Sequence, residues 1–452
     1  MNLNLMHMES ISRKTFIQSS GLLLAGEILV KKPGTFASGA ALQAETGDKP
    51  AGKWTLKNVR LETGFVYEDG EVIATETGLF RVEVENGKIS AVLPNDPKAD
   101  ATDAQRQLML PAFRDMHIHL DKTFYGGPWK ARLAKNRSVK DMIEFERKTL
   151  PELLNTSTYR AEKIIELLQS KGTNFARSHV NIEPTSKLDS LKNLQKAIEN
   201  KKATFGTELV AFPQHGVFYS HSEKLMNEAA AMDIDFIGGL DPNAIDGSVE
   251  KQIDFIVQLA LDHGKGIDIH LHEGGEPGLR TVEYLTQKVI ENPALAGKTF
   301  LSHCFVLARL EKPKLEETAE KLAHARVGVI STIPFGSTIM PIPTLYRYGV
   351  NVMTGNDSIV DHWNTFGSGS ALQKSNLMAQ LYGQSTELDL SRCLKLATGD
   401  ILPLDDKGKQ QWPKAGDEAS VVLVEASCSA EAVARISPVK ALVHRGNLVY
   451  RN

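Results

Sequence analysis

Eight short apolar runs, each ending in polar or titratable residues, recur between Leu108 and about residue 404, and this repeat restricts the fold more than any other feature. The run ends, in order, read His117-Ile118-His119, Ser178-His179-Val180-Asn181, Phe212-Pro213-Gln214, Gly239-Leu240-Asp241, His270-Leu271-His272-Glu273, Ser302-His303-Cys304, Ile330-Ser331-Thr332 and Thr354-Gly355-Asn356-Asp357. Most are separated by amphipathic stretches such as Tyr159 to Leu168, whose apolar positions recur at helical spacing. Eight strand-then-helix units over roughly 290 residues match the count and length of a (β/α)8, or TIM, barrel. An open doubly wound α/β sheet is the alternative, but its glycine-rich phosphate fingerprint is absent.

The flanks differ. Trp54 to Leu61, Leu79 to Val84 and Ile89 to Leu93 read as short strands, with a turn at Glu85-Asn86-Gly87-Lys88 that signals a hairpin. Ala419 to Arg451 repeats that character, with a turn at Arg445-Gly446-Asn447. Neither piece buries a core alone. The expectation is a small composite β-sandwich made from 51–107 and 405–452, joined to a barrel domain spanning 108–404.

Residues 1–50 read as a leader. Ser12-Arg13-Lys14-Thr15-Phe16-Ile17 precedes the apolar Gly21 to Ala25 and the small residues Ala37-Ser38-Gly39-Ala40. This resembles an export signal of the twin-arginine type with lysine at the second basic position, which implies a periplasmic protein; a disordered leader on a cytoplasmic protein is the other reading. No stretch approaches the ~20 apolar residues of a membrane span.

A net charge of −3 over 452 residues supplies no basic footprint for a nucleic acid. Cys304, Cys393 and Cys428 are far apart and form no CxxC, which removes a disulfide framework and a cysteine-ligated zinc site. The sequence leaves a homo-oligomer open.

The chemistry is expected at the strand ends, because a barrel of this kind carries its active site at their C-terminal face. His117 and His119 alternate, so both imidazoles point to one side of a strand. Paired neutral imidazoles suit a divalent first-row ion such as zinc or iron. A lone HxH is weak evidence, but six histidines, a glutamate and two aspartates recurring at strand ends are not explained by packing.

His117-Ile118-His119-Leu120-Asp121-Lys122, His270-Leu271-His272-Glu273, Ser302-His303 and Asp357, in that order, resemble the amidohydrolase superfamily. Within it the chain looks like the cytosine deaminase group, near isopropylammelide aminohydrolase, over about residues 54 to 452. The resemblance implies one divalent ion held by His117, His119, His270 and Asp357, with His303 contacting the attacking water and Glu273 moving protons. The residue types agree with that chemistry: three neutral nitrogens and one carboxylate leave a divalent ion at net +1 with an open position. Asp357 is placed to take the water proton, and Glu273 to protonate a ring nitrogen and the leaving amine. Two-metal relatives generally need a lysine at the end of strand 4, where this chain has Gly238-Gly239-Leu240-Asp241.

For substrate binding, Ala211-Phe212-Pro213-Gln214 resembles the segment whose glutamine reads an amide edge, and a side-chain amide donates and accepts at once. Phe124, Trp129 and Trp363 are candidate apolar walls. Lys122, His272 and Ser358 stand where cytosine deaminases carry threonine, aspartate and aspartate, so cytosine is expected to be a poor substrate and the ring is left open. The expected reaction is hydrolytic release of ammonia or a small amine from an amino-substituted N-heterocycle, pyrimidine- or triazine-like. A cyclic-amide hydrolase of the same superfamily, or a secreted binding protein that has lost catalysis, are the alternatives. Zinc deaminases of the other fold lack support, because their H-x-E and P-C-x-x-C pairing is missing.

Overall fold

The computed structural model describes residues 52–131, 138–333 and 336–452. The expected leader over 1–50 lies outside them. The first strands are β1 (Trp54–Glu68), β2 (Glu71–Glu85), β3 (Lys88–Pro94), β4 (Thr102–Asp103) and β5 (Leu108–Pro111). The barrel follows with β6 (Phe113–Ile118), β7 (Thr173–Asn181), β8 (Gly206–Phe212), β9 (Phe236–Leu240), β10 (Gly266–His270), β11 (Thr299–Ser302), β12 (Val327–Ser331) and β13 (Val352–Thr354). The chain ends in β14 (Val421–Val424), β15 (Val439–His444) and β16 (Asn447–Arg451).

All eight expected barrel strands form, parallel and in sequence order from β6 to β13. A bridge between Ile118 and Asp357, with the Asp357 N–H donating to His117 O at 2.7 Å, joins the last strand's exit to the first. Amphipathic helices cover the outside: Ser157–Ser170 turns Ala161, Ile164, Ile165 and Leu168 inward, the spacing of one helical face. No helix among the described residues is long and apolar enough to cross a membrane.

The terminal segments form one sheet of order β16-β15-β14-β5-β1-β2-β3, with β4 beside β1. It curls so that Val82, Val84 and Ile89 from one side share a core with Val421, Leu423 and Val443 from the other. The Ile89 N–H donates to Asp417 O at 2.9 Å, and Trp54 Nε1 donates to Gly446 O at 2.8 Å. The sandwich is thus a single sheet folded on itself.

Two details depart from the expectation. β1 and β2 run longer than the sequence reading, because Asp69-Gly70, at φ 51° and 86°, makes the two-residue turn between them. The run Leu108 to Phe113 does not open the barrel as one strand. β5 pairs with β14 in the terminal sheet, and the chain then switches sheets: Ala112 N donates to Ser420 O, Phe113 N to Gly172 O. The whole run is apolar because β5 is buried on both faces, Leu108 and Leu110 in one core and Met109 in another. The barrel therefore starts at Phe113, five residues later than the boundary expected at 108.

Candidate active site

His117 lies near the end of β6, His119 just beyond it on the same side, and His270 closes β10; all three are buried. Ring nitrogens of the three lie within 4.8 Å of one another, and so do donor atoms of His117, His303 and Asp357. Asp357 Oδ1 is 3.4 Å from His117 Nε2 and 3.3 Å from His119 Nε2. Burial, helped by Lys122, lowers His119 to about 4, and burial with the neighbouring histidines holds His270 and His303 well below the usual range. These imidazoles are neutral at pH 7. His117 Nε2 and both nitrogens of His270 are buried with no hydrogen-bond partner, a costly arrangement in an apolar interior. A divalent cation fits this donor set and would satisfy it.

The supporting residues fix which nitrogen faces the centre. Ser302 Oγ donates to Asp268 Oδ1 at 2.6 Å, so its proton is committed. His117 Nδ1, 2.9 Å from that oxygen, must then be the protonated nitrogen, which leaves the Nε2 lone pair towards Asp357. Arg177 Nη1 donates to Asp268 Oδ2 at 3.1 Å. On the other side of the barrel closure, Asp115 accepts from His117 N at 3.2 Å and from Asn356 N and Nδ2 at 3.1 and 2.7 Å. A Cβ at Gly355 would collide with the His117 backbone and the Asp115 carboxylate, so only glycine allows this approach.

Asp241, His303, Cys304 and Asp357 all take left-handed backbone conformations at strand exits, with φ between 35° and 67°. Such residues store strain and cluster at functional sites. At Asp357 burial opposes ionisation, but the surrounding His117, His119 and His303 hold the carboxyl well below its ordinary range.

The rim after β10 departs from a simple shuttle geometry. Glu273 Oε1 accepts from the Ala244 amide, while Oε2 is buried without a partner; burial raises its pKa. His272 lines the cavity, with Nδ1 2.9 Å from Asp241 Oδ2 and its ring stacked on His303 at 4.7 Å. Burial disfavours its charged form, but Asp241 outweighs this and the pKa is raised.

Opposite lies a polar wall around Lys122, which is fully buried. Its ammonium donates to Gln214 Oε1 and sits 3.6 Å from Glu146 Oε1. Glu146 also accepts from Trp363 Nε1 at 2.6 Å and from Asn181 Nδ2. Burial pushes the Glu146 carboxyl up, but Lys122 overrides this and lowers it to about 2. Ser138, with Asp141, forms a capping box that starts the helix Val139–Leu154 carrying Glu146.

His119, Lys122, Gln214, His270, His272, His303, Asp357, Ser358 and Trp363 line one cavity of about 1010 Å³. Glu273 does not line it. Of the expected apolar walls only Trp363 does; Phe124 is buried against Leu150 and Leu153, and Trp129 is largely exposed. Another cavity, about 690 Å³, sits among Arg114, Asn174 and Phe175 at the opposite ends of the strands, the face that serves stability in such barrels.

The sequence reading missed Glu146, Asp115 and Asp268, and it placed Asp241 at a strand end without giving it a role. Signals existed for the three missed. Glu146 falls on the helical stripe Met142, Ile143, Leu150, Leu153, where a carboxylate is out of place. Asp115 and Asp268 stand two residues before His117 and His270, hence on the same strand face.

A parallel barrel with a histidine and carboxylate centre at its C-terminal mouth has the layout of a barrel enzyme, and the family it matches makes it a hydrolase acting on C–N bonds other than peptide bonds. The chain belongs to the amidohydrolase family, whose model matches residues 108–400. It is 48% identical, over 98% of both chains, to Uncharacterized protein YahJ of Escherichia coli strain K12. It is 26% identical to N-isopropylammelide isopropyl amidohydrolase of Pseudomonas sp. strain ADP, over 75% of this chain and 84% of the relative. Among solved structures, N-isopropylammelide isopropylaminohydrolase from Burkholderia multivorans superposes with a TM-score of 0.76 at 26% identity, covering 89% of this chain and 99% of the other. The 5-methylcytosine deaminase of Klebsiella pneumoniae shares the fold, with a TM-score of 0.73 at 24% identity over 88% and 97% of the chains.

Proposed function

We propose that this protein is an aminohydrolase using one divalent ion, zinc or iron, to release ammonia or a small amine from an amino-substituted N-heterocycle. The observation that carries it is the convergence of His117, His119, His270 and Asp357 on one side of a cavity whose other side is the amide-reading pair Lys122 and Gln214. When bound, the ion supplies a Lewis acid that brings a water's pKa towards neutrality.

The chain's own groups do the rest. Asp357 accepts the proton of the attacking water, and His303, whose backbone N–H is pinned to Ile330 O at 2.8 Å, directs that water. Glu273, which must turn from the Ala244 amide to reach the cavity, has Oε2 uncommitted and its pKa raised by burial; it gives its own proton to the ring nitrogen, relays the second proton of the water to the leaving amine as the carbonyl forms, and regains a proton from Asp357. Gln214 spends its oxygen on Lys122, which leaves its NH2 to donate to a ring acceptor. Leu240, Met142 and Trp363 supply apolar walls.

The donor groups among the described residues share His117, and β9 offers glycines and Leu240 where a bridging lysine would stand; both favour one ion. This places a cyclic-amide hydrolase second. A panel of aminopyrimidines, aminotriazines and their N-alkyl derivatives, assayed for ammonia and amine, tests the reading. Amine release from at least one ring class supports it; ring opening without amine release, or two ions per chain, overturns it.

A further inference from the structure

The cavity holds a second lysine that the reaction does not use. Lys374, on the helix Ala371–Leu381, reaches over the mouth and donates from Nζ to Thr332 O at 2.6 Å and Ile333 O at 3.0 Å. An ammonium has three donors, so one is left for the space it lines. Lys122 is neutralised by Glu146. Lys374 makes no ion pair with any carboxylate among the described residues, only carbonyl contacts. Among the described residues lining the cavity the one carboxylate is Asp357, and it faces His117 and His119 in the ion site. Burial lowers the Lys374 pKa, and the carboxylates of Asp115 and Asp357, which raise it, do not fully offset that.

The barrel order places this lysine. Gln214 follows β8, while Thr332 and Ile333 follow β12, four strands further round an eight-stranded ring. The two therefore stand on opposite sides of the mouth. A molecule that meets both must cross it, and a cavity of about 1010 Å³ is at the upper end of the ~300–1,000 Å³ usual for drug-sized ligands. A bare six-membered ring leaves most of that space empty.

Resting on the aminohydrolase reading for the position of the ring, we infer that the substrate is an acid: its heterocycle carries an oxyanion on the side away from Gln214, and Lys374 binds it. The group is a ring carboxylate or a phosphate on a substituent, which share this chemistry.

The test uses product-like rings, which need no turnover. Calorimetry on the metal-loaded protein compares uracil with its 5- and 6-carboxylates, and uridine with uridine 5′-monophosphate. At least one anion binds tenfold or more tighter than its neutral partner, the usual size of a charge-assisted hydrogen bond, and the pair that shows this identifies carboxylate or phosphate. In Lys374→Met that ratio collapses to within threefold, and Lys374→Arg restores part of it. No preference in the wild-type protein, whatever the variants do, overturns the inference, as does a preference that survives in Lys374→Met. A wild type that prefers the anion yet releases no amine from any ring leaves the inference standing and removes the aminohydrolase reading.

Discussion

Replacing Glu146 by glutamine isolates the buried pair that shapes the recognition wall. Lys122 and Glu146 are both fully buried and 3.6 Å apart, and Glu146 also receives Trp363 Nε1 and Asn181 Nδ2. Glutamine keeps the shape but leaves Lys122 without its counter-charge and turns an NH2 group towards donors. Removing one partner of a buried ion pair costs about 3–5 kcal/mol. The lowering of the Glu146 carboxyl from 4.5 to about 2 gives a similar figure, about 3 kcal/mol at 1.36 kcal/mol per pH unit. With an unfolding entropy of about 2.1 cal/mol/K per residue over the roughly 400 residues of Thr46–Asn452, Tm should fall by about 4–6 °C. Because the folded-state pKa is depressed, this stabilisation is complete above pH 4.5 and disappears as pH falls towards 2. Calorimetric melts of wild type and Glu146→Gln should therefore differ by a constant amount from pH 8 to 5 and converge below it. Lys122→Met with Glu146→Leu should recover most of the lost Tm while abolishing turnover, since apolar replacement of such a pair is often neutral. A Glu146→Gln Tm within 1 °C of wild type, or a difference that persists undiminished into acid, would refute the pairing.

Three further outcomes are expected. Ser302→Ala removes the bond that fixes the His117 tautomer, so affinity for the ion, read by chelator competition, should weaken about 10–100-fold; an unchanged affinity means the Asp268–Ser302–His117 chain orients nothing. Ser358→Asp returns a carboxylate to the cavity wall, and because a buried donor without its acceptor costs ~1–3 kcal/mol, cytosine turnover should rise from a low wild-type level by about tenfold to a hundredfold; a wild type that already prefers cytosine contradicts this. We also propose that residues 1 to about 40 are removed during export of the folded protein; mass spectrometry finding an intact N-terminus on cytoplasmic protein would end that proposal.

The barrel was legible because eight apolar runs, each ending in polar residues, recur between amphipathic stretches, and strands buried on both faces read as such runs. His117, His119, His270 and Asp357 were legible for the same reason: each sits at or just past a strand end, where chemistry-bearing residues are conspicuous. What escaped depends on distances that a linear reading does not carry. Glu146 reaches Lys122 from a helix 24 positions away in the sequence, and only the fold shows that the stripe bearing it faces the mouth. The Leu108 to Phe113 run was misassigned because two buried strands in different sheets are indistinguishable as one apolar stretch. The turn towards Ala244 that takes Glu273 off the cavity wall has no sequence signal at all.

Holding the ion and moving the proton fall to different residues, and one paired measurement separates them: metal content and amine release of Glu273→Gln beside His270→Ala. One ion per chain is expected in the wild type and in Glu273→Gln, with turnover of the latter reduced by about 10²–10⁴, the usual contribution of a positioned acid or base. His270→Ala should lose ion and activity together. A Glu273→Gln protein that emerges without its ion, or that turns over at near the wild-type rate, contradicts the account at its central step and moves the proton to His272.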